Sequence, residues 1–559
     1  MIRKTLSAAL LLGVVLTACG REEAEPANAS TPGSMLKSAL ATVGADALRR
    51  HYEYLADDAR DGRFTGTPGY SAAAEYVAAR LSEYGLQPGG EDGWYQPVPL
   101  QSYRVDADGV ALVAHRDGGD RSYRYPRDFV VAGDEVRAET SVRAEVVYAG
   151  FGVHAPELGY SDYEGINVDG RIVAIVDNAP PVFPHNERAY YSSSRVKKAE
   201  AVRRGAVGVV ALRSRHAEAS QPWERVEASA GTKPGMTWLA DDGNADGYHA
   251  ELEGAVVLSP TAAEQFLSGT PVSYEEVLDA TEAARVASVP LGFEVSLTRR
   301  TTHEEIASPN VIGIVRGTDP ALADEYVVYT AHLDGLGRGV PVAGDEIYNG
   351  AYDNAMGVAL LVETARVFAA SPPPRSVMFI ALTAEEKGLL GSDYYANYPT
   401  VPMESVVANV NLDMPLFLVP VADIIAFGAE HSSLIGPVES AAAAEGFTVT
   451  PDPMPEEVIF IRSDQYSFVR QGVPSIFLVP GFGSANPDAE GVRLFQDFLR
   501  NHYHRPSDDL SLPVDWESAV RFARANARIG YEVAEAPGRP AWNEGDFFGD
   551  KFAADRLED

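Results

Sequence analysis

Residues 325–334 read EYVVYTAHLD, a nearly continuous apolar run that ends in a histidine and an aspartate. A short apolar run bounded by polar residues is typical of a buried strand in a parallel sheet. Four further runs have the same pattern: NVIGIVRG at 310–317, SVMFIALT at 376–383, VVANVNLD at 406–413 and PSIFLVPG at 474–481. Helical spacing occupies 353–370, 463–471 and 514–533. This alternation predicts an α/β fold in which helices sandwich a mostly parallel mixed sheet.

Residues that commonly bind metals follow these runs. In open α/β sheets the carboxyl ends of the strands meet at one crevice, so we expect side chains at these ends to converge. The candidates are His332, Asp353, Glu386, Asp413 and His504. Two imidazoles and three carboxylates, one of them shared, could hold two zinc ions about 3.5 to 4 Å apart.

Each candidate also has a purely structural interpretation. A histidine such as His332 at a strand end is often only hydrogen-bonded, and the pair Glu385–Glu386 could begin a helix at its positive dipole end. Asp353 could be a helix N-cap, and the loop that contains His504 could be simply solvated. The occurrence of all these residues in order, at successive strand ends, favours the metal site.

Composition narrows the functional classes. The chain has 559 residues, with 80 Asp and Glu against 46 Lys and Arg, so its net charge is −34. This charge argues against nucleic acid and anionic membrane surfaces as partners. The single cysteine excludes an intramolecular disulfide, a Cys-rich zinc site and an iron–sulfur cluster. Serine-hydrolase, Walker and His-Glu-x-x-His motifs are also absent from the sequence.

The N-terminus has the layout of a secretory signal. Arg3 and Lys4 precede the apolar run 6–16, and Leu-Thr-Ala-Cys then ends at Cys19. This sequence resembles the lipobox of bacterial lipoproteins, which predicts a signal peptide at 1–18, lipid attachment at Cys19 and a flexible tether at 19–35. We therefore expect an exported, lipid-anchored bacterial envelope protein. The alternative is a plain signal peptide with a chance cysteine.

The remaining chain divides by pattern. Residues 36–127 begin with helical spacing and are predicted to form the N-terminal part of the catalytic domain. Residues 128–290 consist of short β-type runs and are predicted to be an inserted domain. The strand and helix alternation follows in 291–535, and 536–559 form a C-terminal tail.

Six blocks of the sequence resemble a known family. They are HLDGLGRG from 332, GDEIYNGAYDNAMGVALLVETARVF from 344, ALTAEEKGLLGS from 381, NLDMP from 411, RSDQYSF from 462 and YHRPSD from 503. In this order they are similar to the di-zinc metallopeptidases that include bacterial aminopeptidases and glutamate-carboxypeptidase-like enzymes. Residues 143–164, RAEVVYAGFGVHAPELGYSDYE, resemble the protease-associated domain inserted in larger members.

The resemblance implies a role for each site residue. Asp353 would bridge two zinc ions, with His332 and Asp413 on one ion and Glu386 and His504 on the other. Three further roles are implied, for Asp334, Glu385 and Tyr503. Asp334 would orient the liganding imidazole, Glu385 would be the general base, and Tyr503 would polarise the scissile carbonyl.

The implied activity is that of an aminopeptidase in which Glu385 activates a zinc-bound water for attack on peptides. A carboxypeptidase or dipeptidase is the alternative, because Arg338, Arg462 or Arg505 could bind a substrate carboxylate. A receptor-like binding protein without catalysis is a further alternative. The expected partners are peptide substrates, and the membrane only through the lipid, without nucleic acid. The sequence leaves the oligomeric state open.

Overall fold

The five apolar runs predicted as strands lie side by side in one central sheet. The computed structural model describes residues 32–245, 247–283, 287–484 and 490–553. The predicted signal peptide, Cys19 and most of the tether therefore lie outside the described residues. Among the residues described, no helix combines the length and apolar character needed to cross a membrane.

The strands are numbered in chain order. They are β1 (Gln87–Pro88), β2 (Tyr95–Val105), β3 (Ala111–His115), β4 (Arg121–Tyr123), β5 (Phe129–Val131), β6 (Glu139–Tyr148), β7 (His154–Ala155), β8 (Tyr160–Ser161), β9 (Ile172–Val176), β10 (Gly208–Leu212), β11 (Gly235–Trp238), β12 (Gly254–Leu258), β13 (Val289–Val315), β14 (Tyr326–His332), β15 (Gly337–Val342), β16 (Asp345–Tyr348), β17 (Ser376–Leu382), β18 (Val406–Asn411), β19 (Asp423–Phe427), β20 (Thr448–Val449) and β21 (Ser475–Pro480).

The helices are numbered in the same way. They are α1 (Pro32–Ala41), α2 (Ala45–Ala56), α3 (Pro68–Glu83), α4 (His185–Ser192), α5 (Ser194–Arg203), α6 (Arg215–Ser220), α7 (Trp223–Ser229), α8 (Pro260–Leu267), α9 (Tyr274–Glu282), α10 (Met356–Ala370), α11 (Leu390–Asn397), α12 (Ile435–Ala444), α13 (Gln465–Val469), α14 (Gly491–Asn501), α15 (Trp516–Glu535) and α16 (Phe547–Phe552).

The central sheet has the order β11, β2, β13, β17, β14, β18, β21, β19, β20, and the short strand β1 also pairs with β13. Its four middle strands, β17, β14, β18 and β21, run parallel, whereas β13 and β19 pair with them in the antiparallel sense. The prediction of a mostly parallel mixed sheet is therefore confirmed. The parallel middle strands place their carboxyl ends at one edge.

Both faces of this sheet are covered, which explains why the strands read as continuous apolar runs. Val327 and Tyr329 of β14 pack into the cluster that includes α2, α10 and α15. Tyr326 and Val328 face the opposite side, in the cluster that includes residues of α11 and α13. Tyr329 also donates a hydrogen bond from its hydroxyl to the backbone oxygen of Asn526 in α15, at 2.7 Å. Successive side chains of one strand thus enter two separate cores.

A second sheet has the order β4, β3, β13, β6, β9, β10, β12, β5. The long strand β13 belongs to both sheets: it pairs with β3 and β6 up to Arg300, and with β2 from Thr301 onward. Strands β3 and β4 precede residue 128 and yet belong to the second sheet. The predicted boundaries at 127 and 290, and the likeness of this region to a protease-associated domain, stay predictions.

Candidate metal centre

Three of the predicted ligands lie where adjacent parallel strands end. His332 is the last residue of β14, and Asp413 follows β18 by two residues. Glu386 lies in a one-turn 3₁₀ helix, Glu385–Lys387, shortly after β17. Because β17, β14 and β18 are neighbours, their carboxyl ends bring these side chains to one place.

The fourth ligand, Asp353, lies in an irregular turn directly before α10. The amides of Tyr352 and Asp353 donate to the two carboxylate oxygens of buried Asp508, at 2.9 and 3.0 Å. The Asn354 side chain donates to the backbone oxygen of Leu412 at 2.9 Å, and the Asp353–Asn354 peptide bond is cis. These bonds tie the turn to the end of β18 and to the loop that contains His504.

The five predicted ligands form two clusters that share Asp353. In the first cluster His332 Nε2 lies 3.1 Å from Asp413 Oδ1 and 3.2 Å from Asp353 Oδ1. In the second, His504 Nε2 lies 3.3 Å from both Asp353 Oδ2 and Glu386 Oε2. The candidate ligand atoms of each cluster lie within 4.8 Å of one another. Asp353 therefore presents one oxygen to each cluster, as a bridging carboxylate would.

The charges of the clusters suit divalent cations. Burial alone would lower the pKa of His332, but the nearby Asp413 and Glu385 raise it well above its ordinary value. Burial and the charge of Asp353 raise the pKa of Glu386 to about 7. Buried carboxylates crowded in this way repel one another unless a cation or protons intervene. Imidazole nitrogens and carboxylate oxygens are ligands that zinc accepts, so the donor set fits zinc.

Asp334 fixes the turn that contains Glu385 and Glu386. Its carboxylate accepts hydrogen bonds from the amide of Glu385 at 3.0 Å, the amide of Glu386 at 3.3 Å and the hydroxyl of Thr65 at 3.3 Å. The Nδ1 of His332 hydrogen-bonds to the backbone oxygen of Asp334 at 3.2 Å and lies 3.8 Å from its carboxylate. Asp334 thus orients the imidazole chiefly through its backbone, and its carboxylate positions the adjacent turn.

A cavity of about 320 Å³ opens beside the first cluster, and Glu385, Asp413 and Tyr503 line it. Most of its wall is apolar, and includes Met414, Phe427, Phe477, Phe482, Phe495 and Leu499. Burial raises the pKa of Glu385 well above its ordinary value, although the charge of His332 acts against this. A poorly solvated carboxylate of this kind has a high proton affinity, as a general base requires.

Tyr503 lies between the cavity and the second cluster. Its ring stacks on the imidazole of His504, with 3.7 Å between the ring centroids. Burial and the charges of Asp353 and Glu386 raise the pKa of Tyr503 well above its ordinary value. The phenol therefore keeps its proton and can donate a hydrogen bond.

The three arginines considered for substrate binding have different surroundings. Arg338 is 51% exposed and pairs with Asp61 at 2.6 Å, away from both clusters. Arg462 lines the apolar cavity, where Glu457 lies 3.5 Å from its guanidinium. Arg505 lines a small recess beside the second cluster.

Sequence analysis missed Arg63, which holds two ligand-bearing segments together. This arginine is 1% exposed. Its guanidinium donates to the backbone oxygens of Leu55 at 2.6 Å, Asn349 at 2.7 Å, Gly350 at 2.9 Å and Leu333 at 3.0 Å. It therefore links the end of β14, directly after His332, to the loop that leads into Asp353.

Replacement of Arg63 by methionine is expected to lower the free energy of unfolding by about 3 kcal/mol, because several buried carbonyl groups lose their donor. Urea unfolding of the zinc-free protein measures this change in the free energy of unfolding. The matched control is Arg50→Met in α2, where the side chain is exposed, and we expect a change there below about 0.5 kcal/mol. Equal unfolding midpoints for the two variants would contradict the assignment.

Ser463 and Asp508 were also not predicted as site residues. Ser463 donates from its hydroxyl to Asp413 Oδ2 at 2.7 Å and accepts a hydrogen bond from the Asn411 side chain at 2.8 Å. Asp508 holds the Asp353 turn through two backbone amides. Ser463 lies in the block RSDQYSF and Asp508 in the block YHRPSD. Their positions in these family-like blocks could have indicated a role at the site.

Comparison with known proteins agrees with this geometry. Residues 310–529 match the model of peptidase family M28. The M28 segment contains all five predicted ligands and begins within β13. Residues 1–309, with the whole second sheet, lie outside it.

Two curated relatives match parts of the chain. Aminopeptidase NAALADL1 of Mus musculus is 33% identical over 138 residues, which cover 23% of this chain and 17% of the mouse protein. A probable zinc metalloprotease of Pyrenophora tritici-repentis is 27% identical over 263 residues, 41% of this chain and 58% of the fungal protein. The chain therefore spans less than two thirds of the length of either relative.

One solved structure is similar over nearly the whole chain. The aminopeptidase from Aneurinibacillus sp. strain AM-1 superposes with a TM-score of 0.53 at 18% identity, covering 92% of this chain and 99% of that chain. This likeness confirms the predicted α/β fold with a mostly parallel central sheet.

Proposed function

We propose that this chain is a zinc metallo-exopeptidase that removes N-terminal residues from peptides. One observation carries the proposal: the two oxygens of Asp353 face two separate clusters, with Glu385 at the wall of an adjoining apolar cavity. A shared carboxylate, a nearby base and a cavity for a side chain are the parts that two-metal peptide hydrolysis requires. The names of the curated relatives, an aminopeptidase and a probable zinc metalloprotease, support it.

Two zinc ions would be held by the residues of the two clusters. His332 and Asp413 would hold one ion, Glu386 and His504 the other, and Asp353 both. When bound, zinc supplies positive charge that polarises a peptide carbonyl and acidifies a water molecule.

Glu385 and Tyr503 would act on the substrate directly. The Glu385 carboxylate would accept a proton from the attacking water and return it to the nitrogen of the leaving amine. The Tyr503 hydroxyl, which keeps its proton, would donate a hydrogen bond to the carbonyl oxygen as negative charge develops there. Asp334 would hold the Glu385 turn in place through the two amide hydrogen bonds.

The cavity favours an aminopeptidase over a carboxypeptidase. Its apolar wall suits the side chain of an N-terminal residue, and the carboxylates Asp353, Glu385 and Asp413 in its lining would attract a free ammonium. Arg462, the arginine in this wall, lies beside the opposite charge of Glu457. A receptor-like protein without catalysis would need neither the five converging ligands nor the base.

The test combines zinc content with two substrates. We expect about two zinc ions per chain, cleavage of leucine p-nitroanilide, and little cleavage of an N-acetylated dipeptide, because the acetyl group removes the ammonium. Protein stripped with a chelator should lose activity and regain it with zinc. Cleavage of the blocked dipeptide alone would support a carboxypeptidase instead. Cleavage of neither substrate by the zinc-loaded protein would refute the peptidase proposal.

We also propose that the protein is exported and held at a bacterial membrane by a lipid on Cys19. The support is the N-terminal sequence alone, in which a basic pair and an apolar run precede Leu-Thr-Ala-Cys.

A further inference from the structure

Lys233 approaches the metal centre from the segment that leads into β11, which pairs with β2 of the central sheet. It lies two residues before β11 and is half-buried. Its ammonium donates a hydrogen bond to the backbone oxygen of Leu336 at 2.9 Å and lies 4.8 Å from the centroid of the Tyr348 ring. Both contacts belong to the loop between His332 and Asp353.

The two residues that Lys233 contacts line a small recess at the second cluster. Leu336 and Tyr348 share this recess with Glu386, His504 and Arg505. Lys233 and Arg505 therefore stand beside the cluster on the side of Glu386 and His504. The apolar cavity opens beside the other cluster.

A third cation, Lys387, follows the ligand Glu386 and lies 4.7 Å from the centroid of the Phe64 ring. Within residues 32–245, 247–283, 287–484 and 490–553, none of Lys233, Lys387 and Arg505 forms an ion pair with a carboxylate at 4 Å or less. Arg505 lines the recess, Lys233 contacts two of its lining residues, and Lys387 follows Glu386 in the chain, so three cations lie close to the second cluster. Burial and the neighbouring Lys387 lower the pKa of Lys233 to about 8, although the charge of Glu386 acts against this.

We propose that Lys233, with Lys387 and Arg505 beside it, binds the free C-terminal carboxylate of short peptides, so that dipeptides and tripeptides are the preferred substrates. The inference rests on the proposed exopeptidase function. The N-terminal side chain would enter the apolar cavity, and the chain would cross the clusters toward the three cations. The recess adjoins the second cluster and one residue spans about 3.3 to 3.6 Å, so a carboxylate bound there would lie within one or two residues of the scissile bond.

The experiment compares peptides that differ in one charge. For the wild-type protein we expect kcat/KM for Leu-Ala to exceed that for Leu-Ala-amide by about tenfold or more, since a charge-assisted hydrogen bond is lost in the amide. In Lys233→Met the ratio should fall toward one, mainly through a higher KM for the free acid. Lys233→Arg should largely restore the ratio, because it retains the charge.

The matched control is Lys198→Met, the same substitution at a lysine of the second-sheet region that lines a different cavity. It should leave the ratio unchanged. Leu-Glu-amide tests whether an acidic side chain can replace the terminal carboxylate. Equal kcat/KM values for Leu-Glu-amide and Leu-Ala would overturn the inference. A wild-type ratio near one, or an unchanged ratio in Lys233→Met, would also overturn it. Failure to cleave these peptides and leucine p-nitroanilide alike would instead refute the proposed exopeptidase.

Discussion

Replacement of Glu385 by glutamine is expected to lower kcat by about 10²- to 10⁴-fold while zinc stays bound. The side chain faces the cavity beside the clusters but belongs to neither group of candidate ligands. Glutamine keeps the size of the side chain and can no longer accept a proton. Zinc analysis by mass spectrometry, together with kcat for leucine p-nitroanilide, measures both effects on one sample.

The matched control for this variant is Glu457→Gln, the same change in the wall of the same cavity. Glu457 lies beside Arg462 and outside both clusters, so we expect kcat there to remain within a few-fold of the wild-type value. Near-normal kcat in zinc-loaded Glu385→Gln would show that another group takes the proton. Loss of zinc would mean that Glu385 contributes to metal binding.

Replacement of Asp353 by alanine is expected to remove most zinc and to lower kcat/KM at least about 10³-fold. Asp353 is the one residue common to both clusters, so its loss takes a ligand from each site at once. Glu386→Ala should affect only the second cluster and retain close to one zinc ion. The measurements are zinc stoichiometry after gel filtration and the zinc affinity of each variant.

Asp345→Ala serves as the control for Asp353→Ala. Asp345 is an exposed aspartate of β16 in the loop that precedes Asp353, and its replacement should leave two zinc ions in place. If Asp353→Ala still held two ions tightly, a bridging role for Asp353 would be wrong. If Glu386→Ala lost both ions, the two sites would not be separable in the way that the clusters suggest.

Much of the fold could be predicted because parallel strands covered on both faces have a simple signature. Every residue of β14, β17 and β18 is buried, so apolar residues occupy both faces and each run reads as nearly continuous. The second sheet was harder to delimit. Strand β13 passes from one sheet to the other within a single uninterrupted run of backbone pairing, and no change of composition marks the transition at Thr301.

The candidate ligands could be predicted for a related reason. Three of them, His332, Glu386 and Asp413, lie at or shortly after the ends of parallel strands, and parallel pairing fixes where these ends meet. The supporting residues could not be predicted in this way. The sequence allowed Asp353 to be a helix cap, whereas the structure places it ahead of Ala355, the N-cap of α10, and anchors its amide on Asp508.

The sequence by itself determined three things about this protein. It showed which runs are buried, which polar residues follow them, and which blocks resemble a metallopeptidase. Such information is local, because hydrophobic periodicity reports burial over a few residues. Only the tertiary structure decided that Asp353 divides its two oxygens between clusters and that Arg63 joins the loops behind them. It also decided that Lys233, about 100 residues before His332, contacts residues that line the recess at the second cluster. Contacts of this kind depend on how distant segments pack, and no local pattern records them.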